Sequence, residues 1–165
     1  MKNNNNIKTV VAIGIGAALF FVLGRFVAIP SPVPNTNISL QYAVLGLLAA
    51  MYGPVAGCLI GFIGHTLIDL SWGGSPWWSW VIASAVVGIV VGLFAKKLQV
   101  QEGDFGKGKV VIFTIANVIA HALSWILVAP ALDILIYAEP VNKVFAQGAF
   151  AAVSNAITGI VVGGL

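Results

Sequence analysis

Apolar residues run along this chain in stretches of bilayer-crossing length, and short polar, proline- and glycine-containing segments separate them. A helix needs about 20 apolar residues to cross about 30 Å of hydrocarbon. Cut on that scale, the pattern predicts spans at 7–29, 38–52, 54–70, 77–95, 110–136 and 143–165. The first stops at Pro30-Ser31-Pro32-Val33-Pro34-Asn35, because each proline lacks an amide donor and pushes its predecessor out of helical space. Tyr52-Gly53-Pro54 marks a tight turn between two spans near the short end of the range. Further breaks fall at Ser71 to Pro76, Lys96 to Lys109 and Tyr137 to Asn142. The asparagine run at the start reads as a frayed tail. The run from Ile7 to Ile29 is longer than the apolar region of a signal peptide and is followed by prolines, so it reads as a retained helix. Uninterrupted apolar runs argue against a β-barrel, whose strands alternate over about ten residues. The expected fold is all-α: one integral membrane domain, 1–165, built as a compact bundle of six transmembrane helices.

Composition sharpens this. Apolar residues make up 59% of the chain and charged residues 8%, with a mean hydropathy of +1.01. That leaves no room for a soluble domain, so function lies within the bilayer or at its faces. Lys2, Lys8, Lys96, Lys97, Lys107 and Lys109 fall on one side of a six-span topology and mark it as cytoplasmic, which puts both termini inside. The loops at 30–37, 71–76 and 137–142 then face outward. This asymmetry accounts for the net charge of +3 without a nucleic-acid partner. Cys58 is the single cysteine, so no internal disulfide can form. No His/Cys cluster has zinc spacing, no glycine-rich phosphate loop occurs, and no nucleophile–base arrangement or catalytic carboxylate pair can be found. The expectation is a non-enzyme without metal or cofactor that does not hydrolyse ATP itself.

Polar residues inside spans cost free energy in lipid and tend to face a partner or a cavity. Asn117, His121 and Trp125 recur every four residues on the fifth span, with Ser124 beside them, so an amide, an imidazole and an indole share one face. Interhelical hydrogen bonding alone would explain Asn117; the whole stripe reads as part of a pocket. The fourth span opens with Trp77-Trp78-Ser79-Trp80, followed one turn later by Ser84. Interfacial anchoring accounts for some of these indoles, but three in four residues point in different directions, so at least one faces inward and offers a stacking wall. Gln147, Ser154 and Asn155 on the last span add hydrogen-bonding groups whose other reading is packing. Together these suit a small, neutral or weakly charged aromatic solute. His65 and Asp69, four residues apart, read as a local ion pair, and Asp133 and Glu139 as water-solvated groups near the outer surface. Ala12/Gly16 and Gly14/Ala18 on the first span, with Gly57 and Gly61 on the third, make small-xxx-small pairs that allow close helix approach.

The order and spacing of several segments resemble the S component of an energy-coupling factor (ECF) vitamin transporter. They are the lysine-containing N-terminus, Val11-Ala12-Ile13-Gly14-Ile15-Gly16-Ala17-Ala18, Val33-Pro34-Asn35-Thr36-Asn37, Tyr52-Gly53-Pro54-Val55-Ala56-Gly57 and Gly61-Phe62-Ile63-Gly64-His65. The resemblance implies a six-helix, multi-pass protein of the bacterial plasma membrane that captures a vitamin or precursor from outside. It also implies partners: a transmembrane coupling subunit (EcfT type) and two cytoplasmic ATPases (EcfA type). Solute binding is implied between the first loop and helices four to six, where Asn35, Trp77, Trp80, Ser84, Asn117, His121, Trp125, Gln147 and Asn155 are the candidates. Coupling-subunit contact is implied at Ala12 and Gly16, where glycine replaces the family's usual alanine. Within the family the chain looks most like the group for hydroxymethylpyrimidine, the thiamine precursor; pyridoxine or thiamine would suit the same chemistry. Two other classes remain: a stand-alone secondary transporter, for which no internal repeat is visible, and a non-transporting membrane scaffold.

Overall fold

The computed structural model describes residues 2–103 and 105–164, with side chains from Asn6 onward, so the Lys2 side chain and the Leu165 end of the last expected span lie outside the described residues. Helix α1 runs Lys2–Phe26 and already includes the asparagine run expected to fray. Once the apolar turns are helical, each further residue adds a hydrogen bond for little extra ordering, so the helix propagates back over them. The chain then makes a small antiparallel ribbon, β1 (Ile29–Pro30) against β2 (Asn37–Ile38), with Ile29 opposite Ile38 and Pro30 opposite Asn37. The all-helical expectation did not include this ribbon. It closes the proline-rich loop on itself, helped by Ser31 Oγ donating to Thr36 O at 2.5 Å.

Helix α2 (Gln41–Tyr52) and α3 (Pro54–Ser71) are joined at Gly53, whose φ of +88° suits glycine, with Pro54 starting the next helix where a missing N–H costs nothing. Helix α4 (Trp78–Leu93) follows the Trp72 to Trp77 break. The short α5 (Ala95–Leu98) and a 3₁₀ turn (Val100–Glu102) continue it at a bend of 41°. Next come α6 (Lys107–Ala122), a π-helical segment (Leu123–Val128) and α7 (Ala129–Tyr137), which together form one 31-residue apolar rod. Pro130 explains the irregularity, since it has no N–H for the preceding turn and the backbone widens locally to re-pair. Helix α8 (Val141–Val161) closes the bundle.

Among the described residues, four helices are long and apolar enough to cross a membrane: Asn6–Phe26, Pro54–Ser71, Lys107–Tyr137 and Val141–Val161. The bent pair Trp78–Leu93 with Ala95–Glu102 makes a fifth. Helix α2 is apolar but has only 12 residues, about 18 Å of rise. Large apolar side chains on the bundle's outside, such as Val10, Val11, Ile15, Val55, Leu135 and Val153, are exposed as lipid contact requires.

Helices α3 and α4 make the most intimate pair. A Cβ on Gly61 would lie 2.5 Å from the Ser84 carbonyl oxygen, and one on Gly88 would collide with the Gly57 backbone. The glycine seam therefore brings the two backbones into direct contact, and it carries His65 and Ser84 to hydrogen-bonding range. On the other side of the bundle, Gly148 of α8 abuts the Trp125 carbonyl of the π segment.

Candidate functional site

A cavity of about 460 Å³ opens at the end of the bundle where the ribbon loop, the α3–α4 break and the α7–α8 break meet. Each element brings one kind of group. The loop supplies Asn35, held in the left-handed region at φ 55°, which asparagine tolerates better than most residues. The start of α4 supplies the indoles of Trp77 and Trp80; α3 supplies His65 and Asp69; α7 supplies Asp133; and Glu139, Lys143 and Gln147 come from the last break and α8.

Hydrogen bonds fix this arrangement. Asp133, only 3% exposed, accepts from Trp77 Nε1 at 2.7 Å, from Trp80 Nε1 at 3.0 Å and from the Ser79 hydroxyl. One carboxylate thus orients both indoles. The expectation that water solvates Asp133 is corrected: these three donors replace the water, so the carboxylate sits inside the protein. The Trp77 ring also stacks on Tyr137, with centroids 3.9 Å apart. Asp69 accepts the Trp77 backbone N–H at 2.8 Å, which satisfies an otherwise orphaned donor at the start of α4. The same carboxylate lies 3.7 Å from His65 Nε2. His65 Nδ1 is 2.6 Å from Ser84 Oγ, which is 2.9 Å from the Tyr42 hydroxyl. The His65/Asp69 pair is therefore one link of a polar chain running from the cavity wall into the bundle. At the mouth, Lys143 Nζ pairs with Glu139 at 2.7 Å. Gln147 Nε2 donates to Pro34 O at 2.8 Å and Thr158 Oγ1 to Ser39 O at 3.1 Å, so α8 holds the loop down over the cavity.

A smaller cavity of about 160 Å³ adjoins the first and shares Asn35, His65, Asp69 and Trp80 with it. Gln41, Tyr42 and Asn155 also line it. Gln41 Oε1 and Asn155 Oδ1 are buried there without a hydrogen-bond partner.

Of the residues singled out from the sequence, Asn35, Trp77, Trp80 and Gln147 line the main cavity and Asn155 the smaller one. Ser84 lines neither and instead holds His65 and Tyr42. Asn117, His121 and Trp125 face inward but form a layer beneath the cavity, each 0% exposed. Trp125 Nε1 donates to His121 Nδ1 at 3.1 Å, and the Trp125 ring meets Trp80 edge-on at 5.2 Å. Asn117 donates to Phe113 O, and its free oxygen faces Gly159 of α8.

Sequence reasoning placed Asp69, Asp133 and Glu139 outside the site, and it did not single out Gln41, Tyr42 or Lys143. A carboxylate within an apolar span was the available signal for Asp133; Gln41 and Tyr42 give none without the fold. On α1, Ala12 is buried at the floor of an apolar groove between α1 and α2, and a Cβ on Gly16 would press on Leu48 and Ile60. Gly14 and Ala18 face outward, with open space around Gly14.

Comparison with known proteins agrees with this architecture. The chain is 52% identical over 162 residues to a UPF0397 protein of Clostridium perfringens (strain SM101 / Type A), covering 98% of this chain and 88% of that one. It is 50% identical over 165 residues to a UPF0397 protein of Enterococcus faecalis (strain ATCC 700802 / V583), covering 100% and 90%. A UPF0397 protein of Streptococcus agalactiae serotype Ia is 53% identical over 162 residues, covering 98% and 88%. No solved structure matches the chain. Residues 4–165 match the family described as the ECF-type riboflavin transporter, S component, and this integral membrane chain, a transporter component and not an enzyme, belongs to that family.

Proposed function

We propose that this chain is the solute-capture subunit of an ATP-driven ECF-type vitamin importer. In this reading it crosses the membrane six times, with α2 as a short span and both termini in the cytoplasm. It takes a small aromatic vitamin or precursor into the cavity from the external face and passes it inward with a transmembrane coupling subunit and two cytoplasmic ATPases. The observation that carries the reading is the cavity itself: two indoles held by one buried carboxylate, ringed by hydrogen-bonding groups and covered by a tethered loop. The cavity lies at the opposite end of the bundle from the lysine-bearing 96–109 loop, as the positive-inside rule requires of an external mouth.

In this reading Trp77 and Trp80 form a stacking wall, Asn35 and its loop are the lid, and Gln147 holds the lid closed. Asn155 lines the inner compartment. Ser84, Asn117, His121 and Trp125 support the wall from beneath, so replacing them acts on the solute through Trp80 and His65. For the coupling subunit, the α1 surface offers the groove floored by Ala12 beside the exposed Gly14/Ala18 pair, while Gly16 serves the close approach of α1 to α2 and α3.

Hydroxymethylpyrimidine is the favoured solute. Pyridoxine and thiamine share the flat nitrogen ring, and riboflavin enters through the family's description. Calorimetry on the purified protein with these four compounds tests the reading. Saturable heat with at least one, abolished by Trp80→Ala, is expected; no heat with any of them, from folded protein, overturns it.

A further inference from the structure

The polar groups around the two cavities are strongly unbalanced in kind. Among the described residues lining the main cavity are the carboxylates Asp69, Asp133 and Glu139, against the single ammonium of Lys143 and the imidazole of His65. Lys143 is tied to Glu139 at 2.7 Å, and so that pair is internally neutral. Asp133 is held by indole and hydroxyl donors that carry no charge. Asp69 receives a backbone N–H and faces His65 at 3.7 Å, longer than a hydrogen bond. A carboxylate withdrawn from water calls for a cation, and neutral donors satisfy its lone pairs without cancelling its charge. The smaller cavity adds a second observation: its two unpartnered buried side-chain atoms, Gln41 Oε1 and Asn155 Oδ1, are both acceptors. The main cavity's indoles, Trp77 and Trp80, offer π-faces, which attract cations as well as flat rings.

We infer that the site selects a positively charged solute: an aromatic ring that is itself cationic or carries an ammonium group, held against Trp77 and Trp80 with its charge near Asp69 and Asp133. This rests on the aromatic-solute reading above and shifts its preference from hydroxymethylpyrimidine to a cationic relative, because a neutral ring would leave the carboxylates uncompensated. Two pairs vary the charge. Pyridoxamine differs from pyridoxine only by an ammonium in place of a hydroxyl; thiamine adds a whole thiazolium ring to the pyrimidine that hydroxymethylpyrimidine carries, so for that pair the Asp69→Asn comparison separates charge from size.

The test is calorimetric titration of the purified full chain with all four compounds, repeated on Asp69→Asn. In at least one pair, the charged member should bind about tenfold or more tightly than its neutral partner, as a desolvated cation against a carboxylate and an indole implies. Asp69→Asn should shrink that ratio without moving the thermal unfolding midpoint by more than a few degrees. If Asp69→Asn does not fold, titration of the unaltered chain at rising salt replaces it, where only the charged member's affinity should fall. Neutral members binding as tightly as charged ones overturns the charge inference and leaves the aromatic-solute reading intact. Silence from all four overturns the charge inference, and the aromatic-solute reading falls with it only if riboflavin is silent too.

Discussion

Asp133 concentrates the site's design in one side chain. Its two oxygens hold Trp77, which caps α4, and Ser79 and Trp80 in the first turn of α4, so it fixes both indole planes at once. Replacing it by alanine would leave the two indole N–H groups and the Ser79 hydroxyl without their shared acceptor. Unpaired buried donors cost about 1–3 kcal/mol each, so Asp133→Ala should lose about 3 kcal/mol or more of stability, read as a lowered unfolding midpoint in detergent. An unchanged midpoint would mean the indoles are held by packing alone. His121 acts one layer deeper: it accepts the Trp125 N–H, and Trp125 braces Trp80. His121→Ala should therefore weaken solute affinity, measured by calorimetry, without loss of folded protein; unchanged affinity would mean that His121 does not brace the wall. The residue scale is where the sequence was read least well. Helical spacing correctly put Asn117, His121 and Trp125 on an inward face. Depth along that face depends on how α4 and α8 pack over it, and spacing within one helix carries no such information. Asp133 was assigned to the water-exposed end because its depth depends equally on the tryptophans folding back over it.

At the scale of elements, glycine controls which surfaces meet. The α3–α4 seam at Gly57, Gly61, Gly88 and Gly92 leaves no room for a Cβ, and the atoms it would strike are backbone and cannot move aside. Gly88→Leu should therefore cost more than the about 1–3 kcal/mol usual for overpacking, with loss of folded protein in size-exclusion chromatography. It would also spread His65 from Ser84, so partial survivors should bind solute poorly. A variant that folds and binds normally would contradict the seam. The breaks between helices were legible because prolines and glycines mark them: the Gly53 turn, the loop after α1 and the last break fall where their residues dictate. Three features went unread, although Pro130 inside the fifth expected span was a signal for one of them. The β ribbon arises from the tethering of the loop ends, the π segment from Pro130 meeting the close approach of α8, and the 41° bend after α4 from packing beyond the span.

The whole molecule divides into a polar, aromatic end and a basic end, joined by an apolar shaft whose first helix bears an open small-residue face. On the proposed reading, capture and energy supply are separable in such a body, because Ala12, Gly14 and Ala18 line neither cavity. Gly14→Leu, placed in open space, should leave solute affinity and the unfolding midpoint unchanged yet reduce copurification of the coupling subunit; undiminished assembly would move the docking face elsewhere. The central claim is that the cavity beneath the 29–38 ribbon holds a small aromatic solute, and mass spectrometry of what stays bound to the intact protein, released gently from membranes, addresses it most directly. The account predicts one aromatic vitamin-sized compound bound to the unaltered chain and absent from folded Trp80→Ala. A bound compound without an aromatic ring, or an aromatic one retained undiminished by that variant, would contradict it.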